Sequence, residues 1–304
     1  MLRFGGVLSQ KYDARHISVG EFSSTESEYR MSTNQQQTRP VAIVTGASGG
    51  IGEATARALQ AAGYRVFGTS RRAPATKSPG IEYLVCDVTN DESVQAAVGE
   101  VLSKAGRVDL LVNNAGVGLV AGAEESSLEQ AKSLFDVNLF GLIRMTKAVL
   151  PTMRKQGAGR IVNLSSVMGL IPAPFMALYA ASKHAVEGYS ESLDHEIRSS
   201  GVRVVLVEPA YTRTSFEGNV YQADQQLDVY RSARTNAEGV LREGMKTADT
   251  PELVARAVVK ASTEANPHRR YTAGRAARQI SLLRRFVPAS AFDKSLRKQM
   301  RLPA

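Results

Sequence analysis

The stretch Val41-Ala42-Ile43-Val44-Thr45-Gly46-Ala47-Ser48-Gly49-Gly50-Ile51-Gly52 decides the fold of this chain. Its first five residues form an apolar, β-branched run that is typical of a buried strand. The glycines that follow let the backbone turn tightly and approach an anion, and a helical pattern continues over residues 51–62. A strand, a glycine-rich turn and a helix N-terminus in this order predict a site for the pyrophosphate of a dinucleotide, whereas a generic glycine turn would bind no ligand.

Short β-branched runs alternate with longer helical patterns along most of the chain. Strands are predicted over residues 41–45, 65–70, 81–86, 109–112, 160–165, 202–208 and 270–272. Helices are predicted over residues 51–62, 93–105, 135–156, 177–199 and 251–264. This alternation is typical of a parallel sheet with helices on both faces. We therefore expect a single α/β domain on a doubly wound, Rossmann-type parallel sheet of about seven strands.

Three regions of the chain differ in pattern. Residues 1–38 are polar and aperiodic, so we predict a disordered extension that buries too little apolar surface to offset the entropy of ordering. Residues 39–274 are predicted to form the nucleotide-binding catalytic domain. Within it, the weakly patterned stretch 211–250 is predicted to be a lid, since such long loops are usually functional or disordered. Residues 275–304 are predicted to be a basic, helical C-terminal tail.

The net charge of +9 is concentrated at the C-terminus. Residues 268–304 hold ten lysines and arginines against the single acid Asp293, so the rest of the chain is neutral. A general nucleic-acid binder carries its basic face on the fold itself, so we expect no nucleic-acid partner. The basic tail has two interpretations, a solvated tail or a weak peripheral contact with an anionic membrane.

Cysteine usage and hydropathy bear on the compartment. Cys86 is the single cysteine, which excludes an intrachain disulfide and gives no sign of an oxidising compartment. No stretch approaches the ~20 apolar residues of a membrane span, and the first residues lack the apolar region of a secretory signal. We expect a cytoplasmic protein with no metal site.

A tyrosine and a lysine stand one helical turn apart in the predicted helix 177–199. Tyr179 and Lys183, at i and i+4, share one face of that helix. Ser166 precedes the tyrosine by thirteen residues. A phenol beside an ammonium indicates acid/base chemistry on a substrate oxygen.

Together these motifs resemble the short-chain dehydrogenase/reductase family over residues 40–274. Gly46, Gly50 and Gly52 match its loop spacing, although Gly46, Gly49 and Gly52 also match the extended, epimerase-like branch. The run Asn113-Asn114-Ala115-Gly116 and the short C-terminal part favour the non-extended branch. The run 270–274 and apolar residues among the C-terminal arginines resemble hydroxysteroid and retinol dehydrogenases.

The resemblance implies a nicotinamide dinucleotide cofactor. Asp87 and Val88 match the pair that holds the adenine, and Pro209 and Thr214 match a segment around the nicotinamide amide in which Ala210 replaces the usual glycine. The implied cofactor-binding residues are Gly46, Ser48, Gly50, Ile51, Gly52, Ser70, Arg71, Arg72, Asp87, Val88, Asn114, Ala115, Gly116, Tyr179, Lys183, Pro209, Thr212 and Thr214.

The end of the second predicted strand bears on which dinucleotide is bound. NAD-binding folds usually carry an acid there for the ribose 2′-hydroxyl, but this chain has Ser70 followed by Arg71 and Arg72. Guanidinium groups suit a 2′-phosphate, because arginine binds phosphate through a bidentate fork. We predict NADP(H) over NAD(H), unless the two arginines merely face solvent.

The resemblance also implies the catalytic set. Tyr179 acts as the acid/base, Lys183 and the positive nicotinamide stabilise its phenolate, and Ser166 donates to the substrate oxygen. Asn138 matches the helix asparagine that ties a water to the lysine.

The implied pocket is apolar, which predicts an apolar alcohol or ketone substrate. Its residues are Leu119, Val120, Met168, Leu170, Pro172, Phe175, Met176, Tyr211, Phe216 and Tyr221. A nucleotide-sensing regulator and a cofactor-retaining isomerase or dehydratase remain alternatives on the same fold. The helices 135–156 and 177–199 match the family's dimer-forming pair, so we expect a homodimer or homotetramer.

Overall fold

The computed structural model describes residues 39–74, 76, 78–214 and 220–302. The predicted disordered extension 1–38 and the predicted pocket residue Phe216 lie outside the described residues. The strands are β1 (Val41–Thr45), β2 (Arg65–Ser70), β3 (Ile81–Val85), β4 (Leu110–Asn113), β5 (Gly118–Val120), β6 (Gly159–Leu164), β7 (Val202–Pro209), β8 (Val220–Gln222) and β9 (Arg270–Ala273). The α-helices are α1 (Gly50–Ala61), α2 (Asp91–Ala105), α3 (Leu128–Phe135), α4 (Leu142–Gln156), α5 (Ala177–Ile197), α6 (Arg231–Lys246), α7 (Pro251–Thr263), α8 (Arg275–Phe286) and α9 (Ala289–Gln299).

Seven strands form the central sheet, in the order β3-β2-β1-β4-β6-β7-β9. Every neighbouring pair is parallel, and Ile43 of β1 lies between Phe67 of β2 and Leu111 of β4. The predicted doubly wound parallel sheet is confirmed. The order reverses direction between β1 and β4, where open α/β sheets form a ligand crevice.

Two apolar layers cover the sheet, because successive side chains of a strand point to opposite faces. In β1, Val41 and Ile43 pack with α2, α4 and α5 on one face. Ala42 and Val44 pack with α1 and α7 on the other. Since both faces are buried, the central strands are continuous apolar runs rather than alternating ones.

The predicted helix 135–156 is divided in the structure. An α-helix ends at Phe135, a π-helical turn spans Asp136–Gly141, and α4 starts at Leu142. The preceding helix α3 was not predicted because it has a weak apolar pattern, with Leu134 buried and Leu128 at 73% exposure. Ser127 caps it, accepting a hydrogen bond from Gln130 N at 3.1 Å.

The predicted lid contains regular structure that the sequence pattern did not reveal. Its first part forms β8, which pairs in parallel with β5, and its second part forms α6. The sequence of α6 is mostly polar, and only Arg234 and Ala237 are buried, so no apolar period indicated a helix.

The C-terminal stretch predicted to be a helical tail contains α8 and α9. Within the residues that the structure describes, no helix is long and apolar enough to cross a membrane.

Candidate active site

The glycine-rich turn joins β1 to α1 at the carboxyl edge of the sheet. Gly46 and Gly50 have φ angles of 67° and 56°, in the left-handed region that favours glycine. A Cβ at Gly52 would lie 2.2 Å from the Gly46 carbonyl oxygen and 2.5 Å from Asn114 Nδ2. The turn therefore has no room for side chains at these positions, and the first backbone N–H groups of α1 remain open toward an anion.

Asn114 fixes this turn against β4. Its backbone N–H and that of Ala115 both donate to Thr45 Oγ1 at 3.0 Å. Its side-chain Nδ2 donates to the carbonyl oxygens of Thr45 at 2.8 Å and Gly46 at 3.2 Å. One asparagine and one threonine thus hold the loops after two neighbouring strands together.

A cleft above this edge of the sheet brings most of the predicted site residues together. Predicted residues that line it are Gly46, Ser48, Gly50, Ile51, Gly52, Ser70, Arg71, Asp87, Val88, Asn114, Ala115, Gly116, Ser166, Tyr179, Lys183, Pro209, Thr212 and Thr214. Lining residues that were not predicted are Gly49, Cys86, Thr89, Val117, Val137, Leu164, Ser165 and Ala210. Arg72 and Asn138 are not among the lining residues.

The end of β2 places two neighbouring arginines differently. Ser70 is buried, and its hydroxyl donates to the Arg72 carbonyl oxygen at 2.5 Å. Both guanidinium groups are exposed, but Arg71 lines the cleft and Arg72 does not. The structure therefore turns one of the two predicted arginines toward the candidate cofactor.

Asp87 is held as a carboxylate near Arg71. Its Oδ1 accepts from Thr89 N at 2.9 Å and from Thr89 Oγ1 at 2.7 Å. The hydrogen bond from the Thr89 backbone has the largest effect and lowers the pKa of Asp87 below its usual value. Burial opposes it, and the Thr89 hydroxyl and the charges of Arg71 and Arg144 lower the pKa further.

Tyr179, Lys183 and Ser166 meet at one side of the cleft. Lys183 Nζ lies 5.8 Å from the centroid of the Tyr179 ring and donates to the Leu164 carbonyl oxygen at 2.9 Å. Ser166 Oγ donates to the Pro209 carbonyl oxygen at 3.5 Å and accepts from Met168 N at 3.2 Å. The sequence-predicted triplet is thus assembled from α5 and from the turn after β6.

Burial has the largest effect on the pKa values of Tyr179 and Lys183. It raises the pKa of Tyr179 to about 12, with the Ser166 hydrogen bond opposing the rise. It lowers the pKa of Lys183 to about 8, with the carboxylate of Glu187 opposing the fall. The chain's own groups therefore keep the phenol protonated at neutral pH, which suits a proton donor.

Asn138 lies behind the cleft, in the π-helical turn. Its Oδ1 accepts from Val117 N and its Nδ2 donates to Val117 O, both at 2.9 Å, while Nδ2 also donates to Ser182 Oγ at 3.2 Å. Both amide hydrogens are therefore used within the protein. Its side chain holds the segment after β4 against α5.

The segment after β7 crosses toward the glycine-rich turn. Thr212 forms a backbone bridge with Asp249, and its Oγ1 donates to the Ala210 carbonyl oxygen at 3.2 Å. The Cβ of Thr214 lies 3.1 Å from where a Cβ on Gly50 would be. Ala210 is not among the described non-glycine residues with positive φ, so alanine replaces the family's glycine without backbone strain.

Comparison with known proteins identifies the family. A family model described as short chain dehydrogenase matches residues 40–225, which is more than half of the chain. The chain belongs to the short-chain dehydrogenase family. Within this family, 3-ketodihydrosphingosine reductase of Bacteroides thetaiotaomicron is 37% identical over 229 residues, covering 75% of this chain and 85% of that protein.

Solved structures of the same fold include two with a bound dinucleotide. A short-chain dehydrogenase/reductase from Burkholderia phymatum in complex with NAD has a TM-score of 0.71 and 26% identity, covering 86% of this chain and 96% of that chain. ElxO with NADP bound has a TM-score of 0.66 and 26% identity, covering 78% and 97%. The chain is thus an oxidoreductase of a family that uses nicotinamide dinucleotides.

The short-chain dehydrogenase fold here carries a buried ion pair that the sequence did not predict. Glu125, fully buried after β5, pairs with Arg234 of α6. Its carboxylate also accepts from Gly122 N at 2.9 Å and Leu227 N at 2.8 Å. Burial pushes the pKa of Glu125 upward, yet these donors hold it below its usual value. The pair joins the lid to the body, but 109 residues separate its members and no local pattern relates them.

A second unpredicted cluster lies behind Lys183. Arg270 Nε lies 2.9 Å from Glu187 Oε2 and 3.0 Å from Glu208 Oε1, and Arg270 Nη1 lies 2.6 Å from Glu191 Oε1. Burial and the nearby charge of Glu187 raise the pKa of Glu208 to about 8, against the effect of Arg270. Glu208 is the penultimate residue of β7, directly after the apolar run 204–207, and this buried charge was the one sequence signal for the cluster.

The described members of the predicted apolar pocket differ in their burial. Leu119 and Val120 are buried in β5, whereas Tyr211 and Tyr221 are 39% and 38% exposed. Phe175 has a φ of 61°, which strains a bulky residue, and its ring meets the edge of Tyr230 with centroids 6.3 Å apart. Among the described residues, no group of three or more His, Cys, Asp or Glu side chains is placed to hold a metal ion.

Proposed function

We propose that this protein is an NADP(H)-dependent oxidoreductase that interconverts a carbonyl and an alcohol on an apolar substrate. The single observation that carries the proposal is the Tyr179 phenol, beside Lys183, at the side of a cleft that also contains Ser166 and starts at a glycine-rich turn. The proton-handling groups and the dinucleotide cradle open into the same space.

The residues of the cleft suit a dinucleotide. The turn at Gly46, Gly50 and Gly52 would hold the diphosphate at the start of α1. Ser70 and Arg71 would hold a 2′-phosphate, and Asp87 with Val88 would hold the adenine. The remaining contacts would come from Ser48, Ile51, Asn114, Ala115, Gly116, Pro209, Thr212 and Thr214, with Arg72 in an outer position. The nicotinamide, when bound, supplies or accepts the hydride.

Tyr179 donates its proton to the carbonyl oxygen in the reductive direction. Ser166 donates a hydrogen bond to the same oxygen, where negative charge develops. Lys183, as an ammonium, stabilises the phenolate left on Tyr179 and returns a proton to it. Asn138 holds the backbone behind Lys183. Both of its amide hydrogens donate within the protein, so a carbonyl oxygen of Asn138 would bind the water that relays protons to Lys183.

An apolar substrate is supported by the lining of the pocket and by one relative. Few charged side chains occur among the pocket residues 119–120, 168–176 and 211–221. The name of the Bacteroides relative gives a ketone in a sphingosine derivative as its substrate. A steroid-, retinoid- or lipid-like ketone is therefore the substrate class that we propose.

We also propose a cytoplasmic homodimer or homotetramer with its catalytic domain over residues 39–274, its lid over 211–250 and a basic tail over 275–304. A buried, lone thiol at Cys86 is compatible with a reducing compartment. The assembly would use α4 and α5.

Tyr179→Phe tests the proposed chemistry. The variant should lose at least about a thousandfold in kcat, because the proton donor is missing, while its Kd for NADPH in a fluorescence titration stays near wild type. Tyr189→Phe, on the same helix, is the matched control and should keep full activity. Turnover of Tyr179→Phe close to wild type would disprove the assignment.

The absorbance of NADPH distinguishes the proposed oxidoreductase from two other functions. A nucleotide-sensing regulator would bind NADPH without oxidising it in the presence of a panel of ketones. A cofactor-retaining isomerase or dehydratase would turn over its substrate with no net change in NADPH absorbance. Stoichiometric loss of NADPH with ketone reduction supports the oxidoreductase.

A further inference from the structure

Helix α8 presents large apolar side chains to solvent. Leu282, Leu283 and Phe286 are 47%, 49% and 70% exposed. Leu282 and Leu283 precede Phe286 by four and three residues, so the three side chains share one helix face. The opposite face is held to the protein by buried Ala277. We name Leu282, Leu283 and Phe286 the α8 patch. Contiguous apolar exposure of this kind marks an interaction surface.

Arginines surround the α8 patch. The helix contains Arg275, Arg278, Arg284 and Arg285 and no acidic residue. Among the described residues, no carboxylate forms an ion pair with any of these four. The Arg285 guanidinium lies 5.4 Å from the centroid of the Phe286 ring, at the border of the patch. Apolar side chains framed by uncompensated arginines complement an anionic, amphipathic partner.

The patch lies on the substrate side of the molecule. Helix α8 packs on the turn Val167–Gly169, which directly follows Ser166. Arg284 Nε donates to the carbonyl oxygen of Leu170, one of the predicted pocket residues, at 3.2 Å. The same helix therefore contacts the pocket wall on one side and exposes the patch on the other.

The charge pattern favours a lipid surface over a second copy of this chain. In a two-fold contact through α8, the arginines of one copy would face those of the other, because such an interface is self-complementary. No acidic residue of α8 would offset that repulsion. An anionic bilayer supplies both the negative charge and the apolar interior that the patch needs.

We propose that α8 docks this protein on the surface of anionic membranes, so that the substrate side of the cleft lies next to the bilayer. The substrate class in this inference rests on the proposed function. An apolar ketone of that class would partition into the same bilayer. Docking is peripheral: the patch enters the headgroup region and the arginines contact lipid phosphates and carboxylates.

Vesicle co-sedimentation of the full chain tests the docking. Binding to phosphatidylcholine/phosphatidylserine vesicles should exceed binding to phosphatidylcholine vesicles by about tenfold or more and should weaken with added salt. Leu282→Asp/Phe286→Asp removes the apolar contact, and Arg278→Gln/Arg285→Gln removes charge. Each double variant should lose about tenfold in binding. Leu128→Asp/Val229→Asp, which changes exposed apolar residues outside α8, should bind as wild type does.

Several outcomes would overturn the proposal. The first is that the wild-type protein does not bind anionic vesicles, and the second is that neither α8 double variant reduces the binding. The third is that an α8 double variant changes the mass in light scattering, which would make the patch an interface between copies. NADPH-dependent turnover of a water-soluble ketone without vesicles should be unchanged in the α8 variants. Absence of vesicle binding by the wild-type protein, with its turnover intact, would therefore refute docking alone, whereas activity in Tyr179→Phe would refute the proposed function alone.

Discussion

Arg71 and Arg72 are adjacent in sequence but not equivalent in the structure. Both were predicted to bind a 2′-phosphate, yet only Arg71 lines the cleft. The backbone carbonyl oxygen of Arg72 accepts a hydrogen bond from the Ser70 hydroxyl, and the Arg72 residue is exposed. At the residue scale, the position of each arginine after the strand end decides which guanidinium group can bind a phosphate.

The cofactor preference can be tested at these residues. Ser70→Asp/Arg71→Ala should lower the ratio of NADPH to NADH affinity by about tenfold or more, because a carboxylate repels the 2′-phosphate and the bidentate donor is lost. Arg72→Ala is the matched control and should change the ratio much less. Both ratios come from fluorescence titrations. A ratio that does not change in the double variant would contradict the proposed NADP(H) preference.

Glu208 makes stability depend on pH. Its pKa rises from 4.5 to about 8 in the folded protein, so folding favours the protonated carboxyl. That stabilisation is complete below pH 4.5 and is lost as pH rises toward and through 8. Its largest slope is about 1.4 kcal/mol per pH unit, the value for one proton.

Glu208→Gln should remove this dependence. The Tm of the variant minus that of wild type should increase between pH 5 and pH 9 in calorimetric scans, because glutamine carries no proton to lose. Glu196→Gln, an exposed position on α5, is the control and should give a difference that stays flat with pH. A flat difference for Glu208→Gln would show that the carboxyl stays ionised in the fold.

Long-range contacts hold the described part of the predicted lid 211–250 in place. Helix α6 buries little apolar surface of its own. Arg234 of α6 instead pairs with buried Glu125, and the Gln130 side-chain Nε2 donates to the Gln222 carbonyl oxygen at 2.7 Å. A lid fixed by polar contacts can open without exposing a large apolar core.

Arg234→Met should detach the lid. It leaves the Glu125 carboxylate buried without its partner, so the free energy of unfolding should fall by about 3 kcal/mol, the lower end of the cost of breaking a buried pair. KM for an apolar ketone should rise more than kcat falls. Arg231→Met, whose pair with Asp228 is exposed, is the control and should cost less than about 0.5 kcal/mol. Urea unfolding and steady-state kinetics measure both effects, and equal stabilities of the two variants would contradict the assigned anchor.

At the scale of the whole molecule, small exposed residues lie along α5, one of the two helices proposed for the assembly. Ala181, Gly188 and Ser192 are small, exposed and close to one helix face. A Cβ at Gly188 would meet nothing within 4 Å in the protomer. A large side chain there is compatible with the isolated fold but would obstruct the close approach of a partner's helix.

Gly188→Arg should therefore convert the predicted homodimer or homotetramer to a smaller species in light scattering coupled to gel filtration. Gly99→Arg on α2 is the matched control, because a Cβ there also meets nothing within 4 Å. Both changes replace a helical glycine, so both should stabilise their helix by up to about 1 kcal/mol. An unchanged mass for Gly188→Arg would exclude α5 as the interface.

The sequence by itself determined the parallel sheet and the order in which the site residues follow its strands. Strand and helix periods are local, so the alternation from Val41 to Thr272 predicted the parallel sheet. Residues that follow parallel strands converge at the carboxyl edge of the sheet. Gly46, Asn114 and Ser166 each follow such a strand, and the resemblance to the family implied that they share one site.

Only the tertiary structure decided which groups are buried together. Glu125 meets Arg234, and Glu187 and Glu208 meet Arg270, across separations that no local period encodes. The pKa values of Tyr179 and Lys183, the choice between Arg71 and Arg72, and the exposure of Leu282 and Phe286 likewise depend on packing. The physical reason is that periodicity is a property of neighbouring residues, whereas desolvation and charge pairing depend on the folded chain.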